Sequence, residues 1–250
     1  MKPEFIILCC ALSFLLHGTV TCQNKIGMRM GITKSWRIIT EAESDIYRSY
    51  RNEKETILTK PDFQINYYRK LNKNVSAAIG IGYSDIGYQI KRPLIDPCFS
   101  GVSCGYKIEI DRYRFIYLRV PVKLSASFFK RRILFEAGVS ALFPTAKRHS
   151  WILRKKENKF IDQKIAKVTP LDINGGIQSS IDINIGYRFS PNKDIDIRLV
   201  VETSMLTDRY ENRHIADNIY SIGMFAGQDK STKERLVNMG LALEVLFDMN

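Results

Sequence analysis

The chain has 250 residues, 11% of them aromatic, with 38 Lys and Arg against 26 Asp and Glu for a formal net charge of +12. That length suits a single domain. Beyond the first two dozen residues no stretch approaches the roughly 18 consecutive apolar residues of a helical membrane span, so a helical integral protein is excluded.

The N-terminus reads as a secretory signal peptide over residues 1–22, leaving a mature domain over 23–250. Lys2 supplies a basic start, Phe5 to Leu16 form a short apolar run, and small or polar residues follow. Val20 and Cys22 occupy the positions three and one before a cleavage ahead of Gln23. A lipid-anchored Cys22 is the rival reading, weakened because Thr19, Val20 and Thr21 are not the usual small residues before such a cysteine. Cys9, Cys10 and Cys22 go with the leader. Cys98 and Cys104 remain, close together in a predicted loop, and in an oxidising compartment they are expected to form a small loop disulfide. Neither His149 nor His214 lies near them in sequence, so metal binding there is poorly supported and no cofactor is implied.

The mature chain is dominated by a two-residue alternation, which on a strand puts apolar side chains on one face and polar ones on the other. It predicts eight strands, at about 25–36, 60–71, 75–90, 112–128, 133–146, 170–189, 194–206 and 235–247. Ile181, Ile183, Ile185, Tyr187 and Phe189 alternate with Asp182, Asn184, Gly186 and Arg188 as the plainest case. The connections alternate too. Leu71–Asn74, Phe129–Arg132 and Ser190–Lys193 are tight turns, while 37–59, 91–111, 147–169 and 207–234 are long. An all-β, eight-stranded antiparallel up-and-down transmembrane barrel has this pattern, with short periplasmic turns and long outer loops.

A soluble lipocalin-like barrel would instead turn the apolar face inward around a ligand. Three features favour the membrane sense: the apolar face is nearly free of charge, aromatics fall near strand ends, and the polar face carries both signs. Arg119, Glu136, Asp172, Arg198, Glu202 and Glu244 are predicted lumen charges, with Arg114, Lys123, Asp182, Arg188 and Asp196 on the same polar set. Enclosed charges must be paired, and a narrow lumen with acids and bases allows that.

Tyr117-Leu118-Arg119-Val120-Pro121-Val122 resembles the Tyr-Leu-Glu-Ile-Pro-Leu signature of the PorT-like outer-membrane β-barrel family. Glu136-Ala137-Gly138 is similar to that family's Ala-Gly step, and Asp172-Ile173-Asn174-Gly175-Gly176 to its Asp/Gly-rich strand start. The resemblance implies a small outer-membrane barrel and a role accessory to secretion. Two departures stand out: Arg119 replaces the family's glutamate, and the chain ends Phe247-Asp248-Met249-Asn250 rather than on an aromatic residue. Pro121 removes a ladder donor, so a bulge or kink is expected there.

An eight-stranded lumen is filled by side chains, which makes a general pore a poor expectation and moves function to loops, wall or partners. The 147–169 segment holds Lys147, Arg148, Arg154, Lys155, Lys156, Lys159, Lys164 and Lys167 against Glu157 and Asp162. Trp151 and Phe160 are interleaved with them. Its bland reading is a solvated loop; its functional reading is contact with outer-membrane lipid, lipopolysaccharide phosphates or an acidic envelope or secretion-system protein. Nucleic acid does not fit. A lipid A-modifying enzyme would need His149 with Ser150, or His214 with Asp208, Asp217 or Ser221, and nothing in the spacing indicates either. The sequence therefore points to a non-enzymatic barrel.

Overall fold

A computed structural model describes residues 24–41, 55–93, 108–154, 163–170, 176–191, 195–207, 210–212 and 232–249. Eleven strands lie in them: β1 (Asn24–Glu41), β2 (Glu55–Thr56), β3 (Leu58–Lys70), β4 (Val75–Pro93), β5 (Ile108–Phe128), β6 (Ile133–Arg154), β7 (Gln163–Pro170), β8 (Gln178–Pro191), β9 (Ile195–Leu206), β10 (Tyr210–Asn212) and β11 (Thr232–Met249). Eight of them form the wall in the order β1-β3-β4-β5-β6-β8-β9-β11, and β11 pairs back with β1 to close it. Every pairing is antiparallel. The short strands extend this wall at the long-connection end: β2 beside β4, β7 beside β6 and β10 beside β11.

Alternation sets the two faces. On β8, Ile181, Ile183, Ile185 and Tyr187 are 44%, 48%, 56% and 43% exposed, whereas Asp182 and Asn184 are 0% and 2% exposed. The same holds round the ring, with Met28, Met30 and Ile32 of β1, Phe63 and Ile65 of β3, and Leu241 and Leu243 of β11 all outside. Apolar outside and charged inside is the reverse of a lipocalin, so the lipid-facing sense is the observed one.

The tight turns are built differently. In the β3–β4 turn, Asn72 Oδ1 accepts the backbone N–H groups of Asn74 and Val75 at 2.9 and 2.8 Å. That side chain substitutes for a backbone acceptor, which is why Asn suits the position. The β5–β6 turn instead runs through Phe129, Lys130 and Arg131 with φ of 47°, 57° and 66°. Left-handed backbone costs a residue with a Cβ on the order of 1–2 kcal/mol. One hydrogen bond, from Arg132 N to Phe129 O at 3.2 Å, closes it.

Several expectations are revised. The 147–169 segment is not simply a loop: β6 runs through Lys147, Arg148 and Arg154, and β7 pairs back onto it. The many bases hide a β-hairpin that continues the wall, in which Ile152 is buried opposite Ile110. The predicted strand at 170–189 starts later, at Gln178. Pro121 produces no bulge: it stands opposite Ser140, and the β4–β5 register is the same on either side of it. Cys98, Cys104, Lys155, Lys156, Lys159, Asp172 and the leader lie outside the described residues.

Closure brings the first and last strands into contact at Gly31, opposite Ala242. A Cβ there would sit 2.7 Å from Ala242 Cβ and 2.7 Å from the Leu241 carbonyl oxygen. Gly31→Val is therefore expected to hinder closure. Gel mobility with and without boiling checks this: the fast-migrating, heat-sensitive band should shrink relative to the parent protein.

Candidate functional site

Among the described residues, the lumen holds the most extensive polar network. Inward positions on the short-turn half carry Arg29 from β1, Tyr68 from β3, Glu136 from β6, Asn184 from β8, Glu202 from β9 and Glu244 from β11. Arg29 is 1% exposed. Its Nη2 reaches Glu136 Oε2 at 2.8 Å and Glu244 Oε2 at 3.0 Å, and its Nη1 reaches Glu202 Oε1 at 2.8 Å. Its Nε donates to Glu244 Oε1 at 3.1 Å. Tyr68 Oη donates to the same Glu244 oxygen at 2.6 Å, and Asn184 Nδ2 donates to Glu136 Oε2 at 2.9 Å. A guanidinium presents five donors in a rigid plane, enough to bridge three carboxylates and still reach Tyr68.

Two satellites complete the ionic layer. Arg119 Nη2 pairs with Asp182 Oδ1 at 2.7 Å, its Nε donates to Ser140 Oγ at 3.0 Å, and Ser140 donates onward to Asp182. Asp196 takes Arg188 at 2.6 Å and Arg198 at 3.0 Å, and Arg198 also lies 3.6 Å from Glu244. Lys123 Nζ donates to Gln64 Oε1 at 3.2 Å. Of the charges expected in the lumen, Arg119, Glu136, Arg198, Glu202 and Glu244 are there and buried. Arg119, the residue that departs from the PorT-like signature, is matched by an acid on β8.

Arg29 was not among the predicted lumen charges. Its signal was available: it alternates with Met28 and Met30 and so falls on the polar face. Arg114 is a correction in the other sense. It shares the outward face with Leu118 and pairs there with Asp85, to which Tyr83 Oη donates at 3.4 Å. This polar collar tops the apolar belt on β4 and β5.

Towards the long-connection end the lumen turns apolar. Ile86, Tyr88, Ile90, Phe115, Tyr117, Leu142, Leu206 and Leu236 form one buried cluster. Above it rings stack: Arg37 Cζ lies 4.1 Å from the Tyr88 centroid, Tyr88 is 4.9 Å from Tyr113, and Tyr113 is 4.5 Å from His149. His149 Nε2 is 2.8 Å from Asp111 Oδ1.

His149 faces inward because of one extra residue. Tyr117 stands opposite Pro144 but Ile116 opposite Ala146, which leaves Thr145 as a bulge whose Oγ1 donates to Ile116 O at 3.0 Å. Beyond it the odd positions of β6 point inward. Lys147 lies over Phe115 at 5.4 Å, while Arg148 is exposed on the outside. Ser150, next along the strand from His149, points to the opposite face, so those two do not form the nucleophile–base pair that an acyl-modifying site needs. His214 lies outside the described residues.

A closed antiparallel barrel with an apolar belt outside and a matched charge core inside is the architecture of an integral outer-membrane protein. No protein-family model matches the chain, and no curated protein does. Similar solved structures include Ail, the attachment invasion locus protein of Yersinia pestis, in complex with the heparin analogue sucrose octasulfate. It is 8% identical, with 90% of this chain and 99% of that one covered and a TM-score of 0.38. The outer membrane protein AlkL in lipid bilayers is 11% identical, with 93% of each chain covered and a TM-score of 0.40. The outer membrane protease OmpT of Escherichia coli is 8% identical, with 92% and 98% covered and a TM-score of 0.37. The closed ring and its two faces make the chain an integral outer-membrane barrel.

The Arg29 network makes a sharp prediction. Arg29→Met strands three buried carboxylates and is expected to cost about 3–5 kcal/mol, the range for breaking a buried ion pair from one side. Urea unfolding of the refolded protein in lipid vesicles measures it. A loss under about 1 kcal/mol would place the network in water rather than in a dry core.

Proposed function

We propose that this protein is a non-enzymatic integral outer-membrane barrel whose work is done by its long extracellular connections and partner contacts, with the wall serving as a rigid mount. The observation that carries this reading is the doubly filled lumen: an ionic layer centred on Arg29 below and the Ile86–Leu236 cluster above. Both layers put buried side chains where a solute would have to pass. In planar bilayers the purified protein is expected to give no steady conductance, and stable open channels would overturn the reading.

The finer role proposed is accessory to secretion, which rests on the PorT-like segments around Tyr117–Val122 and Glu136–Gly138. Fold likeness is weak support for such a role, so the test is direct. Deleting the gene should leave exported cargo in the periplasm; an unchanged cargo distribution removes the proposal.

The basic hairpin supports a second contact, with lipopolysaccharide phosphates. Arg148 is exposed on the outer face, and Lys155, Lys156 and Lys159 lie in the connection that follows β6. Neutralising these four should weaken binding to lipopolysaccharide most at low salt, where the Debye length is longest. Binding indifferent to both charge and salt rules this contact out.

A further inference from the structure

The β5–β6 turn is strained where it has no need to be. Glycine or asparagine would adopt the left-handed backbone of residues 129–131 at little cost, yet the chain places Phe129, Lys130 and Arg131 there. Strain kept at one site points to a job for the side chains that it presents. Phe129 is 77% exposed, more than any other large hydrophobic residue among those described, and Phe128 beside it is 51% exposed. Lys130, Arg131 and Arg132 are all exposed, and no acid lies in the turn. Arg132 is tied to the wall through its carbonyl, which accepts Arg188 N at 2.8 Å.

The surroundings have the same character. Phe189 is 58% exposed and packs edge-on against Tyr187 at 5.2 Å, one strand away from the turn. Lys73 is exposed in the neighbouring β3–β4 turn. Among the described residues, Asp248 at this end is taken by Lys25 at 2.9 Å, and Asp196 by Arg188 at 2.6 Å. The short-turn end is thus an aromatic ledge crowned with bases, and both β1 and β11 have their outer ends there.

We propose that this turn seats the barrel on the inner leaflet, with Phe128 and Phe129 entering the acyl boundary and Lys130, Arg131 and Arg132 binding anionic glycerophospholipid headgroups. Charge complementarity selects the occupant: a row of bases beside an exposed apolar pair suits an acidic lipid surface, where each base contributes about fivefold to binding. An aromatic ring at headgroup depth suits the same place. The left-handed turn leaves both rings and all three bases exposed together. This inference requires the barrel to be inserted and is independent of what the outer connections do.

The test uses Phe129→Trp in the full-length mature protein, refolded into phosphatidylcholine vesicles that contain brominated phosphatidylglycerol or, separately, brominated phosphatidylcholine. The heat-dependent gel shift first checks insertion, and Phe128→Trp serves as a second reporter if the first variant folds poorly. The difference emission against the parent protein should be blue-shifted and quenched by bromine. Brominated phosphatidylglycerol should quench several-fold more effectively than brominated phosphatidylcholine. That preference should vanish at high salt and in Lys130→Gln/Arg131→Gln/Arg132→Gln. Water-like emission that neither lipid quenches would overturn the proposal and leave the turn as a surface for a periplasmic protein. Equal, salt-independent quenching by both lipids would overturn the anionic part and leave a plain aromatic girdle.

Discussion

One guanidinium sets the terms for the rest of the barrel. Arg29 is enclosed, and its charge is tolerable only because carboxylates from three other strands meet it within hydrogen-bonding distance. Those acids are in turn enclosed and need it, together with Tyr68, Asn184 and Arg198. A buried ion with one partner missing costs more than the pair ever contributes. The outer face faces no such demand, since many apolar sequences would satisfy lipid. Register, strand order and closure are therefore specified from the inside: a slip of one residue on β1 would carry Arg29 into hydrocarbon.

The interior changes character along its axis, and the two halves do different things. The ionic half fixes which strands meet. The apolar half, with Tyr88, Tyr117, Leu206 and Leu236, is held by packing in one buried cluster. The wall is also uneven in height. β4, β5 and β6 have 19, 21 and 22 residues, whereas β9 has 12. One side of the barrel thus stands above the other at the long-connection end, and the hairpin formed by β6 and β7 is carried on the tall side.

Most of the wall was legible because a period of two is a local property. Ile181–Phe189 gives its faces away without reference to any partner, and the strict alternation of short and long connections gives the topology. The lumen charges on strands with a clean apolar face, such as Glu136, Glu202 and Glu244, were legible for the same reason. What could not be read locally depends on a neighbour. The Thr145 bulge reverses the facing of everything after it on β6, and nothing in Pro144-Thr145-Ala146 announces which residue is extra. Lys147 therefore counts as a loop base in sequence and as a partner of Phe115 in the lumen. The pairing of β6 with β7 is hard to read locally because its apolar residues, such as Ile152 and Ile165, are set among many bases and show no long alternation.

The distance along the chain between the partners of this core has a consequence for assembly. Arg29 and Glu244 are 215 residues apart, and the wall closes only when β11 reaches β1. A hairpin-by-hairpin route through lipid would leave a guanidinium or a carboxylate unmatched in hydrocarbon at each stage until the last strand arrived. Contacts of such separation also form slowly, because loop closure precedes any gain from them. The charged centre thus acts as a checkpoint in time: strands have to be gathered in a wet, unclosed state and then committed to the bilayer together.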